Sequence, residues 1–300
     1  MKKLFFAVKV LFVVSLVAWS IYKFDLAAAK NIFHTANLIW GAAAVSLNIF
    51  VFYFVTLRWK LLIKGFCPHS TAKVSDLLSI NLLSAFYILF IPTTVAAEVV
   101  RVFKLKAHIQ NDYKTATLTA LLDRVIGIST WFILFMVFPS PFHNNKLWLA
   151  VPVGLIAVYF LRKKMVFFGH AVLDFSKHHP LDILKIVLFS FFGQFASAFV
   201  MFSVFRCFGT LIPLADAIGI TAATAMAAMI PISVLGIGAK EGSLFGILPK
   251  YAVSPTQIVI ITGFLVFINY VYGLMGGLIE LWHSGWKFSK LKLPTDAGKN

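Results

Sequence analysis

Residues 89–105 read LFIPTTVAAEVVRVFKL, and residues 227–248 read AAMIPISVLGIGAKEGSLFGIL. Each stretch interrupts a longer hydrophobic segment with a proline, Pro92 in the first and Pro231 in the second. A proline removes a backbone donor and therefore kinks or splits a helix. In hydrocarbon, the carbonyl groups that such a break frees must be satisfied by protein or by a water-filled cavity. We therefore expect two re-entrant helical hairpins, each entering and leaving on one side of a membrane.

The composition of the whole chain also indicates a membrane protein. Of its 300 residues, 60% are hydrophobic and only 13% are charged, and the mean hydropathy is +0.89. A soluble domain carries about a quarter charged residues, so this class is excluded. The 32 Phe and 7 Trp exclude an intrinsically disordered protein. The net charge of +16 could indicate a nucleic-acid partner, but in so apolar a chain it favours cytoplasmic loops beside anionic lipid.

Hydrophobic runs long enough to cross a bilayer predict an all-α, polytopic bundle of six spanning helices plus the two hairpins. The predicted spans are 4–22, 35–57, 115–138, 147–161, 183–208 and 256–282, and the hairpins occupy 74–107 and 211–250. The first span could instead be a signal peptide cleaved near Ala27, Ala28 and Ala29, but the many spans that follow favour a retained helix.

The distribution of basic residues favours this topology. With six spans and two re-entrant hairpins, most of the 27 Lys and Arg fall on one side, including Arg58, Lys60 and Lys64 in a loop after the second span. Lys and Arg in short loops collect on the cytoplasmic side. We therefore expect both termini to be cytoplasmic, with residues 283–300 as a basic tail.

An internal repeat relates the two halves of a single membrane domain, residues 1–300. A shift of about 139 residues aligns unit 35–138 with unit 183–282, each predicted as helix, hairpin, helix. The aligned pairs are Asp76 with Asp216, Pro92 with Pro231, Thr94 with Ser233 and Glu98 with Glu241. The single span 147–161 between the units inverts the second relative to the first. Inverted repeats of this kind are typical of secondary transporters.

Three groups of ionisable residues fall at membrane depth, where each costs about 3 kcal/mol without a partner or water. They are Glu98 with Arg101, Asp123 with Arg124, and Lys240 with Glu241 in a glycine-rich break at Gly236, Gly238 and Gly242. Glu98 and Arg101 can pair at i,i+3 on one helix face. Asp123 and Arg124 point about 100° apart, so each is expected to find partners in the hairpins. All three groups could also be wholly structural.

No enzyme signature is present among the motifs we considered. The sequence has no G-x-S-x-G, H-E-x-x-H or P-loop motif, and Cys67 and Cys207 lack the spacing of a zinc site or disulfide framework. We therefore expect a protein that is not an enzyme and that has no cofactor, no metal and no nucleic-acid partner.

Three blocks resemble the signature regions of the lysylphosphatidylglycerol synthase transmembrane-region family, also called the flippase-like domain family. These blocks are PTTVAAEVVRVFKL at 92–105, LLDRVIGI at 121–128 and PISVLGIGAKEGSLFGIL at 231–248. The positions that match are Pro92, Glu98, Arg101, Asp123, Arg124, Pro231, Ser233, Gly236, Gly238, Glu241 and Gly242. Ala97 stands where the family usually has glycine, which bears on how closely a headgroup approaches.

The resemblance implies a stand-alone member of the family without the soluble aminoacyltransferase domain, in a bacterial or archaeal inner membrane. It implies a lipid flippase that moves a phospholipid or polyprenyl-phosphate-linked lipid between leaflets through a cavity between the hairpins. Glu98, Arg101, Asp123, Arg124, Lys240 and Glu241 are the expected substrate contacts, and the hairpin breaks comprise Pro92, Thr94, Pro231, Ser233, Gly236, Gly238 and Gly242. Anionic lipid is expected at the cytoplasmic basic loops.

Two other functions fit the sequence. A non-transporting partner of a lipid or glycan synthesis enzyme, such as a glycosyltransferase, would need the same membrane fold but no translocation. An ion- or proton-coupled transporter of a small solute would use the membrane carboxylates as proton sites.

Overall fold

A computed structural model describes residues 24–90, 94–110, 112–138, 180–228 and 239–283. Within these ranges the chain is all-helical and contains no strand. The α-helices are α1 (Leu26–His34), α2 (Leu38–Phe66), α3 (Val74–Phe90), α4 (Thr94–Leu105), α5 (Tyr113–Val137), α6 (Pro180–Cys207), α7 (Leu214–Ala227), α8 (Ala239–Ile247) and α9 (Pro255–His283). Short 3₁₀ turns follow α4 at Lys106–His108 and α8 at Leu248–Tyr251.

Four of the described helices, α2, α5, α6 and α9, are long and apolar enough to cross a membrane. They correspond to four of the six predicted spans. At 1.5 Å per residue, the 29 residues of α2 extend about 43 Å, more than the hydrocarbon thickness. The other two predicted spans, 4–22 and 147–161, lie outside the described residues. The tail at 284–300 does so too.

In each proline-containing segment, two described helices flank the predicted break. In the first, α3 ends at Phe90 and α4 begins at Thr94, and Pro92 lies between them in the sequence. In the second, α7 ends at Ala227 and α8 begins at Ala239. The positions Pro92, Pro231, Ser233, Gly236 and Gly238 themselves lie outside the described residues. Within each segment, the two arms pack against each other.

Two features differ from the prediction. The helix predicted to end at residue 57 continues to Phe66, so Arg58, Lys60 and Lys64 are helical and their assignment to a loop is wrong. Charged residues did not end this helix because Arg58 is buried and paired inside the bundle. Residues Leu26–His34, predicted as a connection, form the additional helix α1, which Asp25 caps by accepting from two backbone amides.

The helices of the two predicted units contact one another reciprocally. The first hairpin arm of the first unit, α3, packs on the last helix of the second unit, α9. Equally, the first hairpin arm of the second unit, α7, packs on the last helix of the first unit, α5. The opening helices α2 and α6 form the most extensive contact in the described bundle. This exchange places α4 and α5 side by side, where they form the candidate site.

Close packing at glycines fixes α9 against α3. A Cβ added at Gly276 would overlap the backbone of Leu82, and one added at Gly277 would press on the ring of Phe86. Small residues of this kind let helix backbones approach closely in membranes. Gly273, Gly276 and Gly277 therefore lie on a close-packed surface between α9 and α3.

Candidate functional site

A buried ionic triad joins three helices. Both oxygens of Asp123 on α5 are occupied: Oδ1 accepts from Arg58 Nε on α2 at 2.7 Å, and Oδ2 accepts from Arg101 Nη2 on α4 at 2.9 Å. The three side chains are only 2–5% exposed. A carboxylate held by two guanidinium groups at these distances forms strong charge-assisted hydrogen bonds, which offset part of the cost of burying charge.

A second, more accessible pair adjoins the triad. Arg101 Nη1 also donates to Glu98 one helical turn earlier, at 3.2 Å, as the i,i+3 spacing predicts. Glu98 Oε1 additionally accepts from the guanidinium of Arg124 on α5. The side chain of Glu98 is 20% exposed and that of Arg124 is 49% exposed. One carboxylate is therefore shared by a buried arginine and an accessible one.

The adjacent residues Asp123 and Arg124 belong to different parts of the cluster: Asp123 to the buried triad and Arg124 to the accessible pair. Because successive side chains on a helix point about 100° apart, Asp123 faces the buried arginines while Arg124 reaches Glu98 at the surface of the bundle. The expectation that each would pair with residues of the hairpin is met by α4, which supplies both Arg101 and Glu98.

Aromatic and hydroxyl side chains hold the buried arginines in place. The guanidinium carbon of Arg101 lies 4.1 Å from the ring centroid of Trp59, a cation–π contact. Arg58 Nη1 donates to Ser190 Oγ at 2.9 Å, and Ser190 shares a further hydrogen bond with Thr130. A continuous polar chain thus crosses the bundle from α6 to the accessible end of the site.

Two buried donors beside this chain have no protein acceptor. Arg101 Nε and Trp59 Nε1 are both enclosed, and neither has a hydrogen-bond partner among the described residues. Ala97, at the position where the family usually has glycine, is 1% exposed. Its methyl group therefore packs inside the protein and does not face the accessible side of α4.

Arg58 belongs to the site, but sequence reasoning placed it in a loop. The hydrophobic run on α2 is broken by Arg58 and Lys60, and hydropathy alone ends a span at such a position. The available signal was the apolar stretch LLI at 61–63, which continues the helix beyond these charges.

The second hairpin contributes three of its predicted residues to the described part of the chain: Lys240, Glu241 and Gly242. Lys240 lies half-buried in the first turn of α8, where Ser243 Oγ donates to its carbonyl oxygen at 2.6 Å. Glu241 and Gly242 follow on the same helix. On the first hairpin, Thr94 is the first residue of α4.

Metal ligation finds no support in the described part of the chain. There, no three His, Cys, Asp or Glu side chains converge as a metal site would require. Cys67 and Cys207 are free thiols.

The lysylphosphatidylglycerol synthase TM region family matches residues 6–277 of the chain. The chain belongs to this family. The match extends through every helix and ion pair described above, apart from the C-terminal end of α9. No curated protein and no solved structure matches the chain. The family and the four apolar helices identify an integral membrane protein related to membrane lipids.

Proposed function

We propose that the protein is a lipid translocase, with no enzymatic activity, that moves a polar-headgroup lipid between leaflets. The headgroup passes between two re-entrant hairpins, formed by α3 with α4 and by α7 with α8, while the acyl or prenyl chains stay in the bilayer. The substrate is a phospholipid or a polyprenyl-phosphate-linked lipid. The protein lies in a cell membrane with both termini cytoplasmic, and anionic lipid contacts its basic loops.

The observation that carries this proposal is the exposure of Arg124 at membrane depth. Arg124 lies about 16 Å along α5 from Tyr113, far from both helix ends. Its side chain is nevertheless 49% exposed. A charge exposed directly to hydrocarbon is costly, so such residues face water or a ligand. A hydrated path beside α4 and α5 satisfies this requirement and gives a polar headgroup a route.

The reciprocal packing of α3 on α9 and α7 on α5 supports a transport function. In transporters built from inverted repeats, substrate lies near the midplane between units, and broken helices line the site. Two units that exchange hairpin arms can adopt two related arrangements, which is what alternating access requires. The breaks predicted at Pro92 and Pro231 lie in the sequence between α3 and α4 and between α7 and α8, the helices that would line such a site.

Lipid movement in proteoliposomes tests the proposal. Purified protein is reconstituted with a headgroup-labelled fluorescent phospholipid, and dithionite added outside bleaches only label that reaches the outer leaflet. We expect the wild-type protein to expose inner-leaflet label to dithionite and Arg124→Gln and Glu241→Gln to lose most of this activity. Lys64→Gln removes an exposed lysine outside the cluster and should match the wild type.

The result also separates the alternative functions. A wild-type protein that moves no lipid but co-purifies with a membrane synthase would contradict translocation and support a partner role. Uptake of a water-soluble solute without lipid movement would instead support a coupled solute transporter.

A further inference from the structure

The ionic cluster on α2, α4 and α5 carries an excess of positive charge. Three guanidinium groups, those of Arg58, Arg101 and Arg124, face two carboxylates, those of Glu98 and Asp123, in the part of the chain that the structure describes. Asp123 is fully occupied by its two arginines and is 2% exposed. The buried triad therefore holds one net positive charge, and it adjoins the accessible end of the cluster, where the charges of Glu98 and Arg124 balance each other.

The hydrogen-bonding capacity at that end is incompletely used. A guanidinium has five N–H donors, and Arg124 directs Nε and Nη2 at Glu98 Oε1. Its Nη1 has no acceptor among the described residues. Glu98 in turn divides its carboxylate between Arg124 and Arg101 Nη1, where the contacts are 3.2 and 3.4 Å. Beneath them, Arg101 Nε is buried without a partner.

We infer that this end of the cluster binds a phosphate-bearing anionic headgroup, which displaces Glu98 from Arg124. A phosphate oxygen pair matches the planar donors of a guanidinium bidentately. A cationic headgroup would instead meet a site of net positive charge. Glu98 then acts as an internal competitor that occupies Arg124 when the ligand is absent. This inference rests on the proposed translocation in one respect, namely that the phosphate belongs to a lipid headgroup.

The difference in accessibility between Arg101 and Arg124 determines which of them can bind the ligand. Arg101 is 3% exposed and stacks on Trp59, so it cannot reorient toward a ligand. Arg124 is accessible, and within the described ranges Glu98 is the partner that holds it. The anion therefore exchanges at Arg124, while the Arg58–Asp123–Arg101 triad remains unchanged and keeps α4 and α5 in register.

Binding to the full-length protein in a neutral maltoside detergent tests this inference. The probes are inorganic phosphate, dihexanoyl phosphatidylglycerol and zwitterionic dihexanoyl phosphatidylcholine, measured by calorimetry. Glu98→Gln should bind phosphatidylglycerol about tenfold more tightly, because the competitor loses its charge, and Arg124→Gln about tenfold more weakly. Arg206→Gln, which removes an arginine that stacks on Phe202 outside the cluster, should bind like the wild type.

A gain of affinity in Glu98→Gln cannot result from misfolding, so it supports the inference even if Arg124→Gln folds poorly. Unchanged or weaker binding in Glu98→Gln, or tighter binding of phosphatidylcholine than of phosphatidylglycerol, overturns it. If inorganic phosphate binds as tightly as phosphatidylglycerol, the claim that the phosphate belongs to a lipid is overturned, but the phosphate site itself is not. Anion binding without lipid movement contradicts the proposed translocation and leaves the phosphate site standing.

Discussion

Asp123 is the residue on which the buried part of the cluster depends. It is the single carboxylate between Arg58 and Arg101, with contacts of 2.7 and 2.9 Å, and all three side chains are almost fully enclosed. Removing one partner from a buried ionic group leaves an uncompensated charge, which is more destabilising than the intact group is stabilising. The triad therefore holds α2, α4 and α5 together, and its loss would separate these helices.

Neutralising Asp123 should destabilise the protein strongly. Asp123→Asn keeps the shape of the side chain but leaves two buried guanidinium groups without a counter-charge, and we expect a loss of about 3–5 kcal/mol. Thermal unfolding of the purified protein in detergent measures the effect.

The control is an exposed ion pair at the end of α2. Lys64 lies 3.9 Å from Asp182, and its side chain is 66% exposed. Lys64→Gln should cost about 1 kcal/mol or less, because water screens such a pair. Equal losses in the two variants would contradict a structural role for the triad.

For individual residues, the sequence predicts that Glu98 pairs with Arg101 and that Asp123 and Arg124 have different partners. Both follow from helix periodicity alone. It does not predict Arg58, because hydropathy treats a charge as the end of a span, and only the folded bundle shows that Asp123 neutralises it. It also leaves open which residues are accessible, since burial depends on how α4 packs against α5.

Among the helices, the close packing of α3 and α9 determines where the first hairpin lies. A Cβ at Gly276 would overlap the backbone of Leu82, which no rotamer change can relieve. The ion pair between Lys104 on α4 and Glu280 on α9 connects the second arm of the same hairpin to the same helix. Both arms of this hairpin are therefore fixed to α9.

Enlarging Gly276 should weaken this attachment. We expect Gly276→Ala to destabilise the protein by about 1–3 kcal/mol through overpacking. Gly263→Ala is the matched control on the same helix, because its Cβ would meet no described atom within 4 Å. Thermal unfolding of both variants in detergent checks the difference, and a Gly276→Ala protein as stable as Gly263→Ala would show that α3 and α9 do not pack this closely.

The helices themselves were largely predictable, and their ends less so. Long apolar runs predict α2, α5, α6 and α9, whereas the breaks predicted at Pro92 and Pro231 lie outside the described residues. The helix α1 was missed because nine residues are too few to register as a span. Its start is determined locally, where Asp25 accepts from the amides of Ala27 and Ala28. A similar cap begins α5, where the hydroxyl of Thr115 holds the pKa of Asp112 below its usual value.

Across the whole molecule, the two units are alike in packing but different in chemistry. The contacts between α3 and α9 are matched by those between α7 and α5. The first unit nevertheless contributes all five charges of the described cluster, whereas α9, the counterpart of α5, has Glu280 as its only charged residue. The two units therefore share a packing pattern, whereas the described cluster of arginines and carboxylates lies in the first unit alone. Proline positions and spacing predict the repeat, but not this unequal division.

Water access to the face of α5 around Arg124 tests the central claim most directly. Leu121 and Ile128 lie one turn before and one turn after Arg124, and both are exposed. Single cysteines at these positions, in a Cys67→Ser, Cys207→Ser background, are treated in proteoliposomes with a charged, membrane-impermeant thiosulfonate, which reacts only with hydrated thiolates. Phe267→Cys is the control, because Phe267 is 52% exposed near the middle of α9. We expect rapid labelling at 121 and 128 and little at 267; equally slow labelling at all three would mean that Arg124 faces lipid and that no hydrated path exists.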